Sequence, residues 1–379
     1  MGLEEAALYL HVPFCRSKCP YCDFYSLPLV PERDLLESFL KALKKEVLLR
    51  REELKGFRFV TFYVGGGTPS LLPLWFYRDF FGFLRETLAF SPEEATLEAN
   101  PEGLTLEYLA GLREIFNRLS LGSQSLLNQG LRALGRRHRV REVKEAFRAA
   151  REAGFRNISL DFIFGWPGQS LPLLTRELEE LRLLGPEHVS YYELTIEEGT
   201  PFHRVFERGE LSLPPEEEVV RMHEMIDSFL EEAGYEHYEI SNFARPGFRC
   251  RHNLFYWEAR PYLGLGPGAA SYLHGRRSKN AEDLRAYLQS LEAGRLPPRE
   301  EEKLSPEKRF REAVILGLRL LEGIDLAAFK SRFGYEVREY YGPRLEKLRD
   351  LGLLELVGGR LRLTRKGRLL ANVVFRELV

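Results

Sequence analysis

The chain predicts an α/β fold: a parallel sheet of strand–helix units, followed by a smaller α+β module at the carboxyl end. Three observations carry this expectation. Short apolar or aromatic runs alternate six times with longer amphipathic stretches, the rhythm of repeated βα units with right-handed crossovers. Glycines or isolated polar residues stand just where those runs end. Near the carboxyl end, helical patterns give way to two short strand-like runs joined by Gly358-Gly359, a hairpin signal.

Taken in order, the first strand is the apolar run Ala6 to Val12. From Pro31 to Lys55, Leu36, Phe39, Leu40, Leu43, Val47 and Leu48 recur at helical spacing with charges opposite. Arg58 to Val64 is the second strand and runs into Gly65-Gly66-Gly67-Thr68-Pro69, where missing side chains let backbone approach a ligand. A helix over Pro73 to Ala89 precedes a strand at Ala95 to Ala99, and a helix over Leu104 to Ile115 precedes one at Arg118 to Leu121. Helices Val140 to Ala153 and Leu171 to Leu184 precede strands Asn157 to Phe164 and His188 to Leu194. Beyond them, a helix from Pro214 stops at Gly234 and a strand covers Tyr235 to Ser241. In the tail, Ser305-Pro306 opens a helix through Leu321, with a hydroxyl cap and proline in the first turn. Helical stretches at Asp325 to Arg332 and Tyr335 to Leu351 lead to the Leu353–Val357 and Arg360–Leu363 hairpin. Helices followed by such a hairpin suggest a winged-helix-like module. The expected divisions are 1–210, 211–303 and 304–379.

With 379 residues, 44% hydrophobic, the chain can bury a substantial core. A formal net charge of −1 argues against nucleic acid as the partner, although the tail is locally basic. No basic-then-apolar leader opens the sequence and no apolar run of about 18 residues occurs. Cytoplasmic placement is expected, with the inner face of a membrane as the alternative.

The chemistry concentrates in His11-Val-Pro-Phe-Cys15-Arg-Ser-Lys-Cys19-Pro-Tyr-Cys22-Asp-Phe24, which holds three of the four cysteines at spacing C-x3-C-x2-C. Three thiolates in one loop can hold three irons of a [4Fe-4S] cluster and leave the fourth open to a chelating ligand. Zinc, with His11 as fourth ligand, is the competing reading, but zinc sites usually join two separated pairs and no second pair exists here. A disulfide framework would leave one thiol of the three unpaired.

C-x3-C-x2-C with Tyr21 before the last cysteine resembles the radical S-adenosylmethionine (radical SAM) superfamily. The resemblance implies an open, partial (β/α)6 barrel with ligands at the carboxyl ends of the strands, as in complete barrels. It also implies a cluster on Cys15, Cys19 and Cys22 whose open iron is chelated by SAM, giving a 5'-deoxyadenosyl radical on reduction by an electron donor. The cofactor does the hard chemistry and the protein orients it. Within the superfamily the chain is similar to the coproporphyrinogen-dehydrogenase branch, which places SAM contacts at Tyr9, Tyr21, Gly66, Gly67, Thr68, Glu98, Gln124, Arg136 and Asp161. Independently of that resemblance, a carboxylate such as Asp161 amid Leu160, Phe162 and Phe164 needs donors if it is buried, and Arg136 is a natural bidentate partner for a carboxylate.

His252-Asn253-x-x-Tyr256-Trp257, followed by Gly264-x-Gly266-Pro-Gly268, is similar to the heme-chaperone (HemW) group of this branch. On residue type alone a histidine among aromatics is more often a satisfied core residue. The resemblance instead makes His252, with Tyr256 and Trp257, the heme-binding candidates, while Cys250 reads as a buried small hydrophobe. The choice is between an oxygen-independent coproporphyrinogen III dehydrogenase and a chaperone that carries heme to acceptor heme proteins, respiratory ones among them. The dehydrogenases carry a fourth cysteine where this chain has Phe24, and an amino-terminal arm ahead of the cluster, whereas Cys15 comes early here. Both departures favour the chaperone, without dehydrogenase activity. Homodimerisation is left open.

Overall fold

The computed structural model describes residues 2–379. Its first six long strands are β1 (Glu4–Val12), β2 (Phe57–Gly66), β3 (Phe90–Ala99), β4 (Arg118–Gln124), β5 (Ile158–Phe164) and β6 (His188–Glu193). Each pairs in parallel with the next. The crossovers are helical: α1 (Arg33–Leu49), α2 (Leu74–Thr87), α3 (Leu106–Arg113), α4 (Val140–Glu152) and α5 (Leu171–Leu184), with α6 (Glu216–Glu232) after β6.

Successive side chains of a strand point to opposite faces, and here the two faces differ in chemistry. One face carries Leu8, Phe62, Val64, Leu97, Leu119, Leu121, Leu160, Phe162 and Val189, packed into one core with Phe39, Leu43, Phe76, Phe80, Leu112, Phe147 and Leu178 of the helices. The other face is polar: Thr61 and Tyr63, then Glu94, Thr96 and Glu98, then Arg118 and Ser120, then Ser159 and Asp161, then His188 and Ser190. The helices cover the apolar face, so the polar face becomes the lumen of a half-barrel.

The half-barrel stays open because its end strands have other neighbours. β7 (Glu236–Glu239) and β8 (Asn242–Ala244) extend the β6 side, and β9 (Tyr262–Leu265), β10 (Ala270–Leu273), β11 (Arg276–Asn280) and β12 (Arg299–Lys303) extend the β1 side. The order is β12-β11-β10-β9-β1-β2-β3-β4-β5-β6-β8-β7, twelve strands in one sheet. β9 runs parallel to β1, and the other added strands are antiparallel. The expected helix from Pro31 to Lys55 breaks at Arg50, whose buried guanidinium turns inward to Ser271 and the Gly264 carbonyl of β9. Glu46, one turn earlier, accepts from Asn280 at 2.8 Å and from Tyr287 at 2.6 Å. This buried polar knot ties α1 to the added strands.

From Pro306 a second core forms around Phe310, Val314, Ile324, Leu345, Leu361 and Val374. It holds several helices and the sheet β13 (Ile324–Asp325), β14 (Leu354–Val357) and β15 (Arg360–Leu363), in the order β13-β15-β14. The β14–β15 turn puts Gly358 at φ 56° and Gly359 at φ 79°, the doubly left-handed geometry of a tight hairpin. The winged-helix-like expectation is met, except that the helix expected over Tyr335 to Leu351 splits at Gly342-Pro343, where proline cannot continue the preceding hydrogen bonds.

Candidate functional site

The cysteine loop leaves the carboxyl end of β1. Phe14–Cys15 pairs briefly with Leu27–Pro28, and the Cys22 N–H donates to the Cys19 carbonyl at 3.1 Å, folding Cys19 and Cys22 into one turn. The glycine run after β2 lies against this loop: the Gly67 N–H donates to Val12 O and the Thr68 N–H to Phe14 O, both at 2.7 Å. That contact requires glycine. Gly66 has φ 109°, and a Cβ there would lie 2.6 Å from the His11 ring, while one on Gly67 would lie 2.5 Å from Phe14 O.

The three thiols are half-exposed. Cys15 Sγ is 3.4 Å from Thr68 Oγ1, and Arg136 Nη1 donates to Cys19 Sγ at 3.0 Å while Nη2 donates to Asn100 Oδ1 at 2.6 Å. Among the described residues no three His, Cys, Asp or Glu side chains converge on one ion position, which a lone zinc would need. A cubane spreads its cysteines over separate irons, and three thiols in one loop, with a buried Arg136 Nε left without a partner beside them, fit it.

The loop closes over a cavity of about 480 Å³ lined by all three cysteines and by the lumen-facing ends of β2 to β6, a volume in the range of cofactor sites. Tyr21, Gly66, Gly67, Thr68, Glu98, Gln124, Arg136 and Asp161 all line it. Tyr9 does not: it stands one step deeper, its hydroxyl 3.1 Å from His11 Nδ1, and His11 Nε2 is 2.8 Å from the Tyr25 carbonyl. Glu98 accepts from Tyr63 Oη at 2.8 Å and from the Gly66 N–H at 3.2 Å. Burial, with Asp161 nearby, still pushes its carboxyl up to about 7. Asp161 accepts from Ser120 at 2.8 Å and Ser159 at 3.0 Å, and burial raises it as well. Two half-buried carboxylates with accepting capacity left suit the hydroxyl groups of a ribose, and Arg136 suits a carboxylate.

A family model for the radical SAM superfamily matches residues 9–172, and one for the HemN C-terminal domain matches 304–370. Curated relatives named heme chaperone HemW match nearly end to end. The protein of Bacillus subtilis is 35% identical, covering 97% of each chain. That of Mycobacterium tuberculosis is 38% identical, covering 99% of this chain and 95% of its own. The Escherichia coli protein is 33% identical over 98% of this chain and 97% of its own. The chain belongs to the heme chaperone HemW family. Its fold is that of the solved coproporphyrinogen III oxidase (HemN) of Escherichia coli, described as a radical SAM enzyme: TM-score 0.83 at 24% identity, covering 100% of this chain and 90% of that one.

The HemW-like motif His252-Asn253-x-x-Tyr256-Trp257 forms a short helix, Arg251–Trp257, set against the inner side of β2. Its three heme candidates are not brought to the cavity; Asn253 alone of the motif lines it. His252 is 1% exposed, with Nδ1 2.9 Å from Thr61 Oγ1 and Nε2 2.8 Å from Tyr256 Oη. Burial, beside the Arg118 charge, pushes its imidazole down to about 3, so it is neutral. Both nitrogens of His252 are engaged in this structure, and the residue fastens the helix to β2. Tyr256 is spent on that contact, and Trp257 lies under the Arg319 guanidinium, 4.4 Å from ring centroid to cation. Reading strand ends missed the deeper residues Tyr63, Arg118, Ser120 and Ser190 of the same cavity. Their signal was period-two alternation, since Arg118, Ser120, Gly122 and Gln124 all point one way.

Proposed function

We propose that this chain binds heme and hands it to acceptor heme proteins, with a [4Fe-4S] cluster on Cys15, Cys19 and Cys22 and SAM seated in the cavity behind them. The near full-length relationship to proteins named heme chaperone HemW carries this reading. When bound, the cluster and SAM would supply one-electron chemistry, fed by an external electron donor. The chain's own residues divide the work. Arg136, bridging Cys19 and Asn100, orients a carboxylate beside the loop; the backbone of Gly66 to Thr68 flanks it; Glu98 and Asp161 accept from a ribose.

Phe24, 64% exposed on the cysteine loop and lining the cavity, offers an apolar face at the mouth where a macrocycle can lie. Residues 1–210 then carry cluster and SAM, 211–303 carry the motif helix and the added strands, and 304–379 cover the side where Trp257 sits. Among the described residues no helix is long and apolar enough to cross a membrane, and the cytoplasm or the inner face of its membrane is the proposed place of action. Neither nucleic acid nor turnover of coproporphyrinogen belongs to this reading. The test is anaerobic titration with heme, followed by its Soret band, then mixing with a heme-free acceptor protein. Saturable binding near one heme per chain and transfer to the acceptor are expected. Weak, unsaturable binding with no transfer would refute the proposal.

A further inference from the structure

Four aromatic side chains line the cavity: Tyr21, Phe24, Tyr63 and Tyr192. Tyr21 and Tyr63 are committed to the fold. Tyr21 packs on Phe202 with ring centroids 6.3 Å apart, and Tyr63 lies 5.0 Å from the His252 ring. Phe24 and Tyr192 differ. Among the described residues neither ring pairs with another aromatic ring, and they are 64% and 42% exposed. Large exposed rings carry information when they share one concave site instead of being scattered over a surface.

The two rings come from opposite ends of the half-barrel. Phe24 belongs to the cysteine loop that follows β1, whereas Tyr192 is the next-to-last residue of β6, on the lumen side with His188 and Ser190. Those ends are drawn together over the lumen, because the Phe202 N–H, beyond β6, donates to the Pro20 carbonyl of the cysteine loop at 2.9 Å. The hydroxyl is the inward end of Tyr192: burial pushes the phenol upward, so it is neutral. The ring itself stays open to the cavity.

We propose that Phe24 and Tyr192 are the two walls of a tetrapyrrole subsite at the cavity mouth, and that this subsite recognises the flat macrocycle and not its iron. This rests on the reading of the chain as a heme carrier and names where and how the cargo is held. Two unstacked rings at one mouth suit a planar aromatic guest, held by offset stacking and by burial of apolar area. Iron finds little there. Among the described residues no histidine lines the cavity, the three thiols are taken by the cluster in the reading above, and a neutral phenol is not the phenolate that ligates ferric iron. Charge at the rim sets the orientation. Lys18, exposed on the same loop, offers a cation to a propionate, while Asp23, Glu193 and Glu197 on the rim repel one. With no bond between iron and protein to break, handover to an acceptor needs only the ring to leave its walls.

The experiment compares heme, followed by its Soret band, with metal-free protoporphyrin IX, followed by its fluorescence, on cluster-reconstituted protein. Wild type is expected to bind both saturably, with affinities within about tenfold of each other. Phe24→Ala and Tyr192→Ala should each weaken both ligands about tenfold, Tyr192→Phe should keep the wild-type affinity, and Lys18→Glu should weaken both. If Tyr192→Ala does not fold, Tyr192→Leu, which keeps bulk without a ring, replaces it. Heme bound while the metal-free ring is rejected, or a loss in Tyr192→Phe equal to that in Tyr192→Ala, would assign recognition to the iron and overturn the proposal. Alanine variants that bind both ligands as wild type does would overturn it as well. Wild-type protein that binds neither ligand overturns the heme-carrier reading itself, and this proposal with it.

Discussion

Cys19 sits under two contacts at once, the Arg136 guanidinium and the turn shared with Cys22, but it is half-exposed and supports no core. Cys19→Ser is accordingly expected to remove the iron and the visible absorbance of the reconstituted protein while leaving far-UV circular dichroism unchanged. Unfolding of the variant would show that the loop is structural. Glu177 is the opposite kind of residue. It is fully buried and accepts from Ser125, from the Leu126 N–H at 2.8 Å and from Tyr191 at 3.0 Å, yet burial pushes it up to about 7. A carboxyl raised on folding binds its proton more tightly folded than unfolded, so its contribution to stability is present at low pH and is lost as pH rises toward 7. The shift from 4.5 to about 7 corresponds to about 3 kcal/mol. Glu177→Gln should therefore flatten the decline in urea stability between pH 5 and 8 by roughly that amount, and an unchanged slope would contradict the assignment. At this scale the cysteine loop and the strand ends were legible because loop chemistry shows in local spacing. Arg118 and Tyr63 were not, because an arginine or tyrosine inside a strand looks like any solvated edge until the helices show which face is covered.

Between elements, the decisive contact is the glycine run of β2 against the cysteine loop of β1. Gly66→Ala combines a left-handed backbone with a Cβ 2.6 Å from His11, and it should destabilise the fold by about 2 kcal/mol or more while weakening SAM binding. A variant as stable as wild type in urea would mean that the loop yields. The core strands could be read from their apolar runs because each packs under a helix. β11 and β12 could not: Arg276-Arg-Ser-Lys-Asn280 and Arg299-Glu-Glu-Glu-Lys303 carry no apolar alternation. They pair by charge instead, Arg277 opposite Glu302 and Lys279 opposite Glu300, with Arg276 in an ion pair with Glu301, and complementary charges across a sheet edge show only once the register is known. The short helix carrying His252 escaped for the same reason, since its N-terminus is fixed by Glu94, some 150 residues away in sequence.

At the scale of the molecule, the carboxyl-terminal module is fastened to the sheet by a few buried polar contacts. Arg319 donates to the fully buried Glu239 at 2.7 Å, Arg368 to His237 at 2.9 Å, and the Leu321 N–H to the Tyr238 carbonyl at 3.1 Å. Arg319→Ala would strand the Glu239 charge and uncover Trp257, at about 3 kcal/mol, with limited proteolysis near Leu304 as the readout; protection equal to wild type would contradict this. The module lies beside the motif helix rather than over the cysteine loop, a relation invisible to sequence because it depends on which edge of the sheet β7 occupies.

The central claim is that a radical SAM barrel here serves heme carriage. One anaerobically reconstituted preparation, with its cluster confirmed by iron content, decides it when half is titrated with heme and half is given reductant, SAM and coproporphyrinogen III. Stoichiometric heme binding without porphyrinogen turnover is the expected result. Conversion to protoporphyrinogen without specific heme binding would contradict the account and make the chain a compact dehydrogenase.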